Sequence, residues 1–161
     1  MKLSVRAAER ADAPLIVQFI KELATYEREP EAAKAGVANI EAALFCSAPK
    51  VFGLIAEAGG APVGFAVYFF NFSTWTGRHG VYLEDLYVRE DARGKGAGAA
   101  LLAMLARIAI DKGCARLEWA VLDWNAPAIA FYESLGAQAM NEWTVYRMTG
   151  EKLAALARRA P

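Results

Sequence analysis

Apolar residues recur along this chain with two periods, and the changes from one to the other divide it into elements. The opening LSVRAA predicts a short strand. From Asp12 the period lengthens. Ile16, Phe19, Ile20 and Leu23 share one face of a helix over ADAPLIVQFIKELATYERE, with Asp12 as its N-cap and Pro14 in its first turn. A weaker helix covers about 37–45. VFGLIAEA and APVGFAVYFF predict a hairpin around Gly59-Gly60. FSTWTGRHG reads as a loop, VYLEDLYV as a strand, and AALLAMLARIAI as a helix that Gly113 stops. RLEWAVLD predicts a strand with Leu117, Trp119 and Val121 alternating. Asn125 is placed to cap the helix APAIAFYESL, which Gly136 ends. WTVYRM reads as a last strand and 150–161 as a frayed C-terminal helix. The class is α/β with a mixed (α+β) sheet: an antiparallel meander, then a β-α-β crossover, in one domain over 1–161.

VYLEDLYV contains an irregularity. In a regular strand Val81 and Leu83 face one way, while Leu86 and Val88 face the other. One extra residue near Glu84-Asp85 returns all four to a single face, which is the count of a β-bulge. The alternative is a strand buried on both faces, which needs no alternation. Two acids in such a strand would be costly.

Composition narrows the function. Hydrophobic residues make up 56% of 161, and 18 Lys+Arg balance 18 Asp+Glu. That argues against a nucleic-acid binder and against a disordered chain. No apolar run is long enough for a membrane span, and the N-terminus lacks the apolar stretch of a signal peptide, so a cytoplasmic protein is expected. Cys46 and Cys114 form no disulfide framework or zinc pattern. Cys114 is expected to pack in the interior. A nucleophile triad would have to use His79, the only histidine, which sits in a turn-like stretch. A multi-histidine metal site is excluded, and no metal is expected.

DARGKGAG, residues 91–98, lies between a strand and a helix. A helix N-terminus presents N–H groups without intrahelical partners, and glycines let a loop approach a bulky anion closely. Arg93 and Lys95 add charge. The combination suits a phosphate or pyrophosphate, against the alternative of a mobile glycine-rich turn. The P-loop pattern is absent. GxGxxA occurs as Gly94, Gly96 and Ala99, but this unit comes after a meander rather than opening a parallel sheet. The third pattern is Arg-x-x-Gly-x-Gly, at Arg93, Gly96 and Gly98.

With YLEDLYV before it and LDWNAPAIAFYESLGA after it, that pattern resembles the GNAT N-acetyltransferases, and within them the diamine (polyamine) and thialysine enzymes. IKELATYE and the tryptophan of STWTG extend the similarity over nearly the whole chain. The resemblance implies the GNAT fold, with the bulged strand splayed from its parallel neighbour. It implies acetyl-CoA as cosubstrate, with its pyrophosphate on the glycine loop and its pantetheine arm bonded to the backbone of Leu86 and Val88. Coenzyme contacts would fall on Leu86, Tyr87, Val88, Arg93, Gly94, Lys95, Gly96, Ala97, Gly98, Ala99, Asn125, Pro127 and Tyr132. A homodimer is also implied, as is a small cationic amine as acceptor.

Acetyl transfer to an amine needs an ammonium proton removed, and the departing thiolate benefits from gaining one. By resemblance Tyr132 is the acid; the stripe Ala128, Phe131 and Leu135 also fits a plain core tyrosine. Glu84 and Asp85 are the candidate proton-accepting and amine-binding acids, or else a solvated strand edge. Tyr26 and Glu27, at the end of the first helix, and Glu142 complete the amine side by resemblance. Trp75 and Trp143 fit core, interface or substrate roles. Glu118-Trp119-Ala120 replaces a segment that contacts substrate in the polyamine enzymes, which argues against spermidine itself. Two rivals remain on the same residues: a non-catalytic acyl-CoA sensor and a dinucleotide oxidoreductase.

Overall fold

The computed structural model describes residues 1–161. The chain forms two compact units, Met1–Leu122 and Asp123–Pro161. The first holds a five-stranded sheet in the order β1-β2-β3-β4-β5, made of β1 (Leu3–Ala7), β2 (Val51–Ala58), β3 (Ala61–Ser73), β4 (Arg78–Val88) and β5 (Leu117–Trp119). The first three pairings are antiparallel, and β4 pairs with β5 in parallel. The crossover between those two is α3 (Ala97–Asp111). The predicted mixed sheet is thus found, with its parallel pair at one edge.

Two helices cover one face. α1 (Ala13–Tyr26) and α2 (Val37–Leu44) bury Ile16, Phe19, Ile40 and Leu44 against Ile55, Phe65 and Val67 of the sheet. Phe19 stacks on Phe65 with ring centroids 5.5 Å apart. The helical stripe read from the sequence is this face, with Ile20 at its margin. α3 buries Leu101, Leu102 and Leu105, and packs on β1 to β4. It ends in a Schellman turn: the N–H of Gly113 bonds Ile110 O and that of Cys114 bonds Ala109 O. Cys114 is buried, as expected.

The hairpin turn falls where its sequence required, since Gly59 and Gly60 have φ of 60° and 83°. Three expectations are corrected in this unit. FSTWTGRHG is mostly strand rather than loop. β3 runs to Ser73, β4 starts at Arg78, and Phe72 pairs with His79, their rings 5.1 Å apart edge to face. Only the four residues between are a turn. Asp12 precedes α1 but its side chain does not cap it. It accepts two bonds from Arg6 instead, at 2.7 and 3.0 Å, and one from the Glu9 N–H at 2.7 Å. Arg6 also donates to Glu57 at 2.8 Å, so a charged partner outcompetes the cap. Finally, β5 is only three residues long and stops before Val121.

The second unit contains α4 (Ala126–Ser134) and α5 (Gly150–Ala157). WTVYRM forms no strand there: 142–149 are irregular, and Val145 and Tyr146 are exposed. α5 fits the expected C-terminal helix.

The close approach of β3 to β4 gives a stability test. A Cβ on Gly64 would lie 2.6 Å from the backbone oxygen of Tyr87. Gly64→Ala is expected to cost about 1–3 kcal/mol by forcing the strands apart. A thermal denaturation midpoint equal to wild type would contradict this register.

Candidate active site

The site begins with one unpaired residue. Along the β3–β4 ladder, Val67 opposes Asp85 and Tyr68 opposes Leu83, so Glu84 has no partner. This is the predicted bulge. Val81, Leu83, Leu86 and Val88 oppose Phe70, Tyr68, Ala66 and Gly64, which share one face of β3. All four therefore lie on that face, as the register count required. Tyr82, Asp85 and Tyr87 face α1 with Phe65 and Val67.

The bulge also marks where β4 loses its parallel neighbour. β4 and β5 pair over Val81–Leu83 and Leu117–Trp119 and no further. The Arg89 N–H donates to Val63 O at 2.9 Å, so residue 89 directs its backbone toward β3. By the alternation of an antiparallel ladder, residues 87 and 85 do the same, while Leu86 and Val88 direct theirs the other way. On that side no strand pairs with them. Backbone donors and acceptors thus line the open edge of β4 at the two positions that the resemblance named.

The chain then enters the glycine loop. Gly94 and Gly96 have φ of 73° and 91°, where a side chain would be strained, and a Cβ on Gly94 would meet open space. Gly96 caps α3, and its carbonyl accepts the Ala100 N–H at 2.9 Å. The N–H groups of Ala97, Gly98 and Ala99 precede that first helical bond. This backbone fits a pyrophosphate: three N–H groups at a 15-residue helix's positive end, approached past glycines. The two basic side chains partly serve the loop itself. Lys95 Nζ donates to Asp91 O at 2.9 Å, and Arg93 Nε to Val88 O at 2.9 Å.

The acids differ sharply in environment. Glu84, in the bulge, is exposed. Asp85 points toward the α1 side, where burial first, then the charges of Glu84 and Glu27, push its carboxyl up to about 6. Burial also raises the Glu27 carboxyl above its ordinary value. Glu27 closes α1 through a Schellman turn in which Arg28, not glycine, takes the left-handed position at φ 66°. The arrangement brings Glu27 and Glu84 within electrostatic reach of Asp85, and Tyr26 precedes Glu27 in the chain.

In the second unit Asn125 caps α4. Its Oδ1 accepts the Ala128 N–H at 3.4 Å, and it is the one buried polar residue of the chain. Pro127 lies in the first turn, and Tyr132 in the last. Gly136, at φ 91°, ends the helix as read from the sequence. α4 has no buried residue, and Leu135 is half-exposed, so the Ala128–Phe131–Leu135 stripe is not a core stripe. Glu142 is exposed in the irregular segment, where a strand had been expected after it.

The acetyltransferase (GNAT) family pattern matches residues 16–137, so the chain belongs to that family and is an N-acetyltransferase. Within the family its sequence groups with the thialysine and polyamine acetyltransferases. A thialysine N-epsilon-acetyltransferase of Bos taurus is 39% identical over 164 residues, 95% of this chain and 96% of that one. An L-ornithine N5-acetyltransferase of Arabidopsis thaliana is 44% identical over 93 residues, 58% of this chain and 41% of that one. An integron cassette protein from the mobile metagenome of V. cholerae superposes with a TM-score of 0.82 at 31% identity, covering 98% of this chain and 99% of that one.

The raised carboxyl makes a stability prediction. Asp85 titrates near 3.8 unfolded and near 6 folded. As pH rises between these values the unfolded state releases this proton first, so stability present below the lower value is lost by the upper one. Asp85→Asn is therefore expected to stabilise the protein at pH 7–8, on the order of 1–3 kcal/mol. The gain should shrink to nothing below about pH 4. A denaturation series across pH that shows no such convergence would count against a buried, charge-crowded Asp85.

Proposed function

We propose that the protein transfers an acetyl group from acetyl-CoA to a primary amine of a small diamine or lysine-like molecule, by direct attack in a ternary complex. The observation that carries this reading is the coincidence, at one bulge, of an open backbone edge and a half-buried carboxylate with raised affinity for a proton. Acetyl-CoA brings the reactive thioester carbonyl, so the protein needs no nucleophile of its own.

The protein's residues then have separable tasks. Leu86 through both backbone groups, and Val88 through its N–H while its carbonyl accepts from Arg93, offer bonds to the pantetheine amides, and the N–H groups of Ala97 to Ala99 hold the pyrophosphate. Glu27 and Glu84 attract the cationic acceptor. Asp85, rather than the exposed Glu84 expected from the sequence, takes the proton from the attacking ammonium, directly or through water. A carboxylate near 6 is a better proton acceptor than one near 4, yet it is still mostly ionised at pH 7. The amine nitrogen bonds the carbonyl carbon, the carbon–sulfur bond breaks, the Tyr132 hydroxyl donates its proton to the departing sulfur, and the second proton lost by the new amide nitrogen restores that hydroxyl through solvent. Asn125 and Pro127 set the helix that carries Tyr132. A thialysine enzyme and an ornithine enzyme among the relatives both support a dicationic acceptor with an amino-acid end.

An activity panel tests the reading. Thialysine, ornithine and putrescine should each exceed butylamine in kcat/KM, with an advantage that salt reduces. Tyr132→Phe should lower kcat by about 10²–10⁴-fold with acetyl-CoA binding nearly intact. kcat/KM should rise with pH through about 6 as Asp85 ionises, then rise further with the free-amine fraction. Equal rates with butylamine, unmoved by salt, would replace the dication by a neutral or anionic acceptor.

We also propose a homodimer. Neither α4 nor α5 has a buried residue, and Trp143, Val145, Tyr146 and Met148 are exposed. A second copy covering this apolar stretch would relieve that cost. Light scattering is expected to give the mass of two chains, and Val145→Asp with Tyr146→Asp to give one. A monomeric wild type would refute the pairing.

A further inference from the structure

Arg93 stands between the two binding functions rather than inside either. Its guanidinium carbon lies 4.7 Å from the centre of the Tyr26 ring and 5.5 Å from that of Tyr87. Its Nε donates to the carbonyl of Val88. Three segments therefore meet on one flat cation. The first is the glycine loop, because Gly94 is the next residue. The second is the open edge of β4, through Val88 and Tyr87. The third is the C-terminus of α1, through Tyr26, whose neighbour Glu27 helps to raise the proton affinity of Asp85. Tyr87 continues the chain of contacts inward, its ring 6.0 Å from that of Phe19 in the core.

We propose that Arg93 is a positioning residue that couples coenzyme binding to amine affinity. The inference rests on the function proposed above. An anion on the N–H groups of Ala97 to Ala99 fixes the loop, and a fixed loop keeps the guanidinium seated on both tyrosines. The seated guanidinium holds the end of α1, and so holds Glu27 across from Asp85 for the incoming cation. The seated arrangement is the one both ligands favour, which is the differential interaction that coupling requires. The side chain is exposed, so each stacking contact is weak and a ligand on the loop can strengthen the seat. Reciprocity adds a second consequence: the amine must tighten the coenzyme by the same factor.

Geometry favours this over a plain phosphate contact. A side chain reserved for the pyrophosphate would extend toward the α3 N-terminus. The Arg93 guanidinium instead lies against two rings and a strand carbonyl. The flat face and the Nε–H matter here, and lysine has neither.

Titration calorimetry separates these roles, using coenzyme A and thialysine as probes, each alone and each with the other saturating. In the wild type each ligand is expected to tighten the other about five- to ten-fold. In Arg93→Leu the factor should fall below about two. In Arg93→Lys the factor should also collapse, whatever the change in affinity for coenzyme A alone. Tyr26→Leu should lose the same coupling. A wild-type factor of one overturns the proposal, as does Arg93→Lys or Arg93→Leu retaining the full factor while only coenzyme affinity changes. Failure of the wild type to bind coenzyme A at all would overturn the proposed function itself, a result distinct from binding without coupling.

Discussion

The site depends on a single unpaired residue in β4. Because Glu84 has no partner on β3, the strand bends there and its later half parts from β5. That parting exposes the backbone of Leu86 and Val88, which a regular parallel pair would have consumed. The same extra residue swaps the parity of the strand beyond it, turning Asp85 and Tyr87 toward α1 and leaving Leu86 and Val88 on the face of Val81 and Leu83. Without the bulge, either the acids or the hydrophobic residues would face the wrong way.

The electrostatic cost is local. The chain as a whole is balanced in charge, yet Glu84 is gathered beside Asp85, and burial already disfavours ionisation of Asp85 and Glu27. Such crowding destabilises the empty protein and favours a cationic ligand. Arg28, held left-handed where glycine would be easier, belongs to the same region and ends the helix that delivers Glu27.

Much of this was legible in the sequence for countable reasons. A register slip reverses every side chain, so the parity of Val81, Leu83, Leu86 and Val88 was enough to reveal the bulge. Gly59-Gly60 and Gly113 marked turns that need positive φ. What escaped the sequence was decided by partners distant in the chain. Asp12 looked like a cap until Arg6 claimed it, and Glu57 lies 51 residues from Arg6. FSTWTGRHG has the composition of a loop, but pairing of Phe72 with His79 extends both strands into it. WTVYRM alternates well yet forms no strand, because alternation supplies a face and not a neighbour. The contacts of Arg93 with Tyr26 and Tyr87 span positions that no local pattern joins.

Because the strands lie in the sheet in the order they occur in the chain, most of the sheet can form by adding each strand to the one before it. From β2 to β4 the connections are tight turns, which keep the entropy of closing each loop small. The exceptions are β5, which follows α3, and β1, separated from β2 by both helices of one face. Its pairing must wait for a long closure, and Arg6 then ties it to Asp12 and Glu57 on either side of that gap. Folding is thus expected to condense first on the β2–β3–β4 meander, which already contains the bulge, so the seed of the site is laid down with the earliest part of the fold.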